Sequence, residues 1–392
     1  AGEKITTTLV KADPQVGLAL LHVADADALA GLNPIGPAES ATAESQVEII
    51  QIDETSGVQR GDGQLVKALV DALPSAPYSA LQYDVLTDLN VDGNGAPVLS
   101  GDHLAGIILS YSRASRTGKM LPAVYIARFI NDARDGDYDG FASAGFSWKP
   151  LVDPTKRAYL GVDAESGGIQ ILNCLPGSGA GEVLKPNDVV LTWDGHAVDK
   201  LGYYADDDYD RLLFPHLIKG RRKPGETVTV GIVRDGAPSE VQVPLTRRNE
   251  DGDLIPENVV GDPCPYLIDG GLVIRELNGR MLHAYGGQWQ TRTDPRLAHL
   301  YLTRQYAPEQ PGDRVVLLSA VLPDPINIGY QHFRDQIIEK VNGEPVRNIR
   351  DVFRIVDAEG SIRSLSLRAM HIDIVLDQKE LPAANQRIAH QY

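Results

Sequence analysis

Asn90-Val91-Asp92-Gly93-Asn94-Gly95-Ala96-Pro97 lies between two apolar, strand-like runs, Tyr83 to Leu89 before it and Val98 to Leu109 after it, the second broken by a Gly101-Asp102 turn. β-Branched and aromatic runs bounded by Gly, Pro, Asn and Asp read as strands, so the stretch is a glycine-rich loop joining two of them. Such a loop turns backbone N–H groups to one side and pushes one side chain forward, which is the geometry that stabilises an oxyanion beside a nucleophile. The side chain at its centre is Asn94, and an amide has no ionisable oxygen or sulfur with which to form an acyl intermediate. The shape of a nucleophile loop is expected here without its chemistry.

The chain has 392 residues, enough for about two to four domains. A hydrophobic content of 43%, with 38 Gly and 25 Pro, suits short strands and turns. Acidic residues outnumber basic ones 53 to 37, and the formal charge of −16 repels phosphate backbones, so no nucleic-acid partner is expected. Cys174 and Cys264 form no Cys-x-x-Cys motif; no metal or redox cofactor is indicated, and a disulfide between them stays open. No apolar run is long enough for a transmembrane segment. Ala1-Gly2-Glu3-Lys4 is not a signal peptide, and a chain beginning at Ala is compatible with a mature exported product of a periplasm or cell envelope.

The loop at 90–97 resembles the Asn-Pro-Gly-Asn-Ser-Gly-Gly-Pro loop of the HtrA/Deg serine proteases. Asn90, Gly95 and Pro97 coincide, and the nucleophilic serine falls on Asn94. Upstream, Ile5 to Val10 and Leu18 to Val23 read as strands around an Asp13-Pro14 turn. The family's triad aspartate opens the second of these runs, and here that position is Gly17, which cannot orient an imidazole. The resemblance puts the catalytic histidine tens of residues further upstream, so a truncated first barrel, or one supplied by another chain, is expected. His22 and His103 have no placed partner. Ser100 and Ser110 fall on strands rather than on the loop.

Residues 24–46 read as a connection, Val47 to Asp53 as a strand, and Gly57 to Leu73 as a strand or short helix. Leu121 to Asp132 carries apolar residues at helical spacing behind Pro122. It resembles the helix that closes the protease domain in this family.

Tyr159-Leu160-Gly161-Val162 resembles the carboxylate-binding loop of PDZ domains, with Gly168 to Leu172, including Ile169 and Ile171, as the strand that would pair with a peptide. Phe214 and Leu217, on an expected helix Tyr209 to Leu217, would line the side-chain pocket. This arrangement implies capture of protein C-termini or extended peptides by β-augmentation. Ile337 to Gly343 repeats the strand-then-Asx-Gly pattern of Val189 to Gly195, and Asn348 to Ala358 reads as a helix. A second PDZ-like module follows, with an insertion, Asn278 to Asp313, whose Tyr285, Trp289, Leu297, Leu300, Tyr301 and Tyr306 are expected to carry homo-oligomer assembly.

Asp88, Asn90 and Asp92, and again Asp135, Asp137 and Asp139, occupy the alternating positions of a calcium loop, but the twelfth position falls on Leu99 and Phe146 rather than on an acid. Turn-forming Asp/Gly chemistry accounts for both better than calcium does. The reading reached is a mainly β protein with some α: a truncated trypsin-like barrel (1–150), a PDZ domain (151–250) and a second PDZ-like domain (255–392). Its expected role is that of a catalytically inactive, peptide-binding and oligomerising scaffold. The alternatives are an active endopeptidase completed by another chain and a calcium-stabilised structural protein.

Overall fold

The computed structural model describes residues 4–38, 43–53, 57–73, 78–134, 136–258, 264–368 and 372–392. It divides into two compact units, 1–248 and 249–392.

The first unit opens with an antiparallel hairpin, Thr7–Asp13 (β1) and Leu18–Val23 (β2). Six strands then close a barrel: Gln46–Asp53 (β3), Gly57–Ala72 (β4), Ser79–Thr87 (β5), Ala96–Ser100 (β6), His103–Ser112 (β7) and Thr117–Pro122 (β8), in the order β3-β4-β5-β8-β7-β6. The pairs Glu48↔Leu99 and Ile49↔Val98 seal it. Alternate side chains fill the inside, Val47 with Ile49 and Tyr83 with Val85 among them, as the two-residue strand period requires. Gly106 is where β7 comes closest to its neighbour, since a Cβ there would lie 2.3 Å from the Leu121 carbonyl oxygen. β4 is strand along its whole length, its first half paired with β3 and its second with β5, so the helical option for Gly57 to Leu73 is set aside.

Leu121 and Pro122 belong to β8, and the helix expected from Leu121 runs instead over Ala123–Arg134 (α1). Its buried face, Ala123, Tyr125 and Phe129, is extended by a Tyr125–Phe141 stack with centroids 5.5 Å apart.

Ala142–Ser143 (β9) and Phe146–Pro150 (β10) lead into the next sheet. Then come Pro154–Tyr159 (α2), Ile169–Cys174 (β11), Gly179–Val183 (α3), Val189–Trp193 (β12), His196–Ala197 (β13), Tyr203–Asp206 (β14), Asp210–Leu213 (β15), Pro215–Lys219 (α4), Thr227–Arg234 (β16), Ala237–Pro244 (β17) and Thr246–Arg247 (β18). The sheet order is β10-β11-β12-β16-β17, so β10 is its edge strand, although a boundary at 150 would leave it with the barrel. Trp193, Phe214 and Ile169 share one apolar cluster with Leu81, Leu121 and Phe129 of the barrel and its helix, and the core therefore shows no break between the two sheets.

The second unit contains Tyr266–Asp269 (β19), Leu272–Glu276 (β20), Gly279–His283 (α5), Trp289–Arg292 (α6), Pro295–Arg304 (α7), Val316–Val321 (β21), Gln336–Val341 (β22), Glu344–Pro345 (β23), Ile349–Glu359 (α8), Ser364–Leu367 (β24), Ile372–Val375 (β25) and Leu381–Gln391 (α9). Its strands run β19-β20-β21-β22-β24-β25. The sequence repeat has a structural counterpart. Asp194-Gly195 turns β12 into β13 at φ 52° and 81°, and Asn342-Gly343 turns β22 into β23 at φ 52° and 83°. Positive φ at both centres selects Asx-Gly.

The insertion folds onto its own module. Trp289, Leu297 and Tyr301 are buried with Leu277, Val315, Leu317 and Ile337. Glu257 holds this cluster in register, receiving the Tyr301 hydroxyl at 2.5 Å and facing His283 Nδ1 at 2.8 Å. The assembly surface expected from these aromatics is therefore corrected, because the module's own sheet covers most of them.

Candidate functional site

β5 and β6 hold the ends of the loop at 90–97, and β7 supports its centre. The Gly95 N–H donates to the Ile108 carbonyl at 2.9 Å. A Cβ on Gly93, whose φ is +76°, would fall 2.7 Å from Ser110 Cα, so the loop lies directly on that strand. In a serine-protease loop the oxyanion is received by two N–H groups, that of the nucleophile and that of the residue two before it. Here those are the N–H groups of Asn94 and Asp92, and both are engaged. Asn94 N–H donates to Asp92 Oδ1 at 2.9 Å, and Asp92 N–H donates to Gln51 Oε1 on β3 at 3.3 Å. A carboxylate at that spot opposes the negative charge an oxyanion would bring.

Gly17 sits in the β1–β2 turn at φ +69°, and a Cβ added to it would have Leu109 of β7 as its nearest neighbour, at 3.9 Å. The hairpin does carry a buried carboxylate, Asp13, which the sequence offers only as a turn residue. Its oxygens accept from Gln15 N–H (2.8 Å) and the Tyr138 hydroxyl (2.6 Å), with no histidine among these partners. His22 is exposed on β2.

The peptide-binding residues are placed differently from expectation. Tyr159 ends α2 and is 80% exposed, and Leu160, Gly161 and Val162 form the turn that follows. Their N–H groups donate to the carbonyls of Lys156, Ala158 and Arg157 at 3.0–3.1 Å, so they cap a helix and are closed to a carboxylate. β11, which carries Ile169 and Ile171 after Gly168, is paired on both sides, with β10 and β12. The helix expected over Tyr209 to Leu217 is a turn, β15 and the short α4. Consecutive aspartates at 206–208 favour the turn, and Pro215 starts a helix more readily than it continues one. Phe214 and Leu217 are 1% and 2% exposed and pack in the core rather than along a groove. The sheet ends in β10 on one side and β17 on the other, and it is on β10 that Phe146 stacks on Phe214 and Trp148 meets the same ring edge-on. Its apolar-polar alternation, Phe146-Ser147-Trp148-Lys149 behind Gly145, was the signal that could have found it.

A family model described as PDZ domain matches residues 255–392. The chain is 26% identical over 348 residues to Protease Do-like 2, chloroplastic, of Arabidopsis thaliana, covering 87% of this chain and 55% of that protein. It is 25% identical over 362 residues to Putative protease Do-like 3, mitochondrial, of the same plant, covering 90% and 62%. Its homologues are Deg/HtrA proteases. The Deg/HtrA homologue thus spans somewhat more than half the length of these relatives. Among solved structures, HtrA-type protease AlgW with decapeptide superposes with a TM-score of 0.49 at 19% identity, covering 63% of this chain and 73% of that one. The fold class is the expected one, mainly β with some α: a closed six-stranded barrel is followed by two further sheets, the second of them within the residues that the PDZ model matches.

Other candidate chemistry in the Deg/HtrA homologue is committed elsewhere. Ser100 faces His103 in register across the tight turn at 101–102 that closes the β6–β7 hairpin. Ser110 faces Lys119, whose amine is 2.7 Å from the Asp84 carboxylate. Asp88 pairs with Arg116 at 2.5 Å and Asn90 accepts from Arg113 at 2.7 Å. Asp137 and Asp139 are exposed, Asp135 lies outside the described residues, and among the described residues no three acidic, His or Cys side chains cluster as metal ligands. Both cysteines are free thiols, so the disulfide left open by the sequence is not formed. No helix among the described residues is long and apolar enough to cross a membrane.

His216 on α4 gives the first unit a pH signature. Burial, with the Arg221 charge second, pushes it down to about 4, while Asp206 and Asp208 act weakly the other way. An unfolded histidine titrates near 6.5, so between about pH 6.5 and 4 only the unfolded chain takes up this proton. The stability due to the neutral ring is present above pH 6.5 and is lost as pH falls, by about 1.4 kcal/mol per unit. His216→Gln should flatten the fall in urea midpoint over that window; an unchanged slope would assign the fall to other groups.

Proposed function

We propose that this protein is a Deg/HtrA homologue that binds extended protein segments and does not cut them. The observation that carries the reading is the closed loop at 90–97: both N–H groups that would receive an oxyanion are held by side-chain oxygens, one of them a carboxylate, around an amide at the nucleophile position. Absence of a serine alone would leave a site one substitution from repair, whereas this loop has a different internal bonding pattern. Binding is assigned to the β10 edge, where an added strand finds unpaired backbone groups beside Phe146 and Trp148.

Incubation of the full chain with unfolded casein tests both parts. Casein should remain intact while hydrogen exchange slows at 146–150 and stays unchanged at 160–162. Cleavage that disappears on Ser100→Ala or Ser110→Ala would establish the competing endopeptidase. Protection at 160–162 instead would return binding to the helix-capping turn.

A further inference from the structure

The start of α1, the inner face of β5 and the α4 segment enclose a cavity of about 470 Å³ within the first unit. Tyr83, Tyr125 and Phe141, all buried, give it an aromatic floor. Two cations, Arg128 and Lys219, reach it from opposite elements. Arg128 donates to the carbonyls of Lys219 and Arg222, each at 2.9 Å, and lies over the Phe141 ring. Lys219 is 8% exposed; its Nζ donates to the Gln15 carbonyl at 3.0 Å and faces the Tyr78 ring. These partners are carbonyls and rings, and among the described residues neither cation has a carboxylate within ion-pair distance. Arg221 and Asp208 also line the space, but they neutralise each other at 2.8 Å. Two lining side chains, Tyr125 and His216, are almost fully buried; His216 Nδ1 has no hydrogen-bond partner, and the Tyr125 hydroxyl, which the Leu81 backbone approaches, has no acceptor for its proton.

A buried ammonium with no carboxylate in contact, on which Asp13 acts only from a distance, and buried polar atoms left unpaired are each costly, and one ligand would relieve both. The donors define that ligand. Both terminal nitrogens of Arg128 already bond to carbonyls, leaving two N–H groups on Lys219, the Tyr125 hydroxyl and the His216 ring. That set matches the two oxygens of a carboxylate better than the three acceptor oxygens of a phosphate. The volume is that of a small-molecule site, and the aromatic floor suits an apolar body. We propose that this cavity binds a small organic carboxylate, its charged end toward Lys219 and Arg128 and its aryl or short alkyl body against Tyr83, Tyr125 and Phe141. This site is separate from the loop at 90–97 and from the β10 edge.

Calorimetric titration of the full chain with 3-phenylpropionate and with octanoate, alongside their primary amides and inorganic phosphate, tests the assignment. At least one acid should bind, and its amide and phosphate should each be at least tenfold weaker. Lys219→Met should weaken the acid at least tenfold. Val124→Trp, at a lining position that is 58% exposed on α1, should obstruct the mouth without entering the core and weaken the acid to a similar extent. It decides the matter if Lys219→Met does not fold. Equal binding of acid and amide, binding untouched by Val124→Trp, phosphate binding as tightly as the acid, or no binding of either acid would overturn the proposal.

Discussion

A chain carrying Asn94→Ser should hydrolyse casein no faster than the unaltered chain. The substitution restores a hydroxyl and leaves the rest of the machinery absent. Gly17 still offers no carboxylate, and in serine proteases replacing the orienting aspartate alone lowers kcat by about 10⁴-fold. The N–H at 94 would still donate to Asp92, and losing a single oxyanion donor costs about 10²–10³-fold in comparable enzymes. These effects do not simply multiply, but either one holds the rate near background. Adding Asp92→Gly would free the N–H at 94 and still leave position 17 without a carboxylate, so the double variant should be silent too. A rise with Asn94→Ser that is lost in Asn94→Ala would mean that a base already faces this loop, and the binding-only reading would fall.

The second large effect concerns stability. Arg157→Met should destabilise the first unit by about 3–5 kcal/mol, the range for breaking a buried charged network. Arg157 is buried inside the turn it organises: its guanidinium donates to the carbonyls of Leu151 (3.0 Å), Asp163 (2.7 Å), Ser166 (2.6 Å) and Gly167 (3.2 Å). Methionine keeps much of the volume and removes every donor, leaving those carbonyls to find water or go unmet. For a unit of this size the loss corresponds to a fall in Tm of roughly 10 °C. Thr155→Ala, exposed on the same helix, should stay within about 0.5 kcal/mol. A melt of Arg157→Met within 1 °C of the parent would show the loop carbonyls already solvated.

Much of this fold was legible because it rests on local pattern. The Gly101-Asp102 turn, the strand Val47 to Asp53, the helix behind Asn348 and both Asx-Gly hairpins follow from side-chain alternation, capping and positive φ, each a property of a few adjacent residues. What escaped depends on residues distant in sequence. Thr117–Pro122 is a strand because β5 and β7 flank it, while Leu121-Pro122 alone looks like a helix start. Phe146–Pro150 is an edge because of its place in the sheet order, and the N–H groups of Leu160 to Val162 are taken up by the six-residue helix before them. The helix expected from Tyr209 took no account of the aspartate run at 206–208 just before it, which favours a turn. At the candidate site, the identity of Asn94 and Gly17 could be read directly, but the closure of the loop by Gln51, from 41 residues upstream, could not.

The matched turns at 194–195 and 342–343 give the sheets that contain β12 and β22 a common origin for counting. Counted back from it, the connection carrying α2 (151–168) and the one carrying α5 to α7 (277–315) fill the same slot between the second and third strands before the turn. In polymer terms they are two loops with the same anchor points, one about twice the contour length of the other. The entropy of closing a flexible loop grows only with the logarithm of its length, so the doubling costs about 0.6 kcal/mol. A single buried side chain such as Trp289 outweighs that several times over. The slot is therefore elastic: it takes up additional chain at little thermodynamic penalty, provided the addition brings its own apolar anchor.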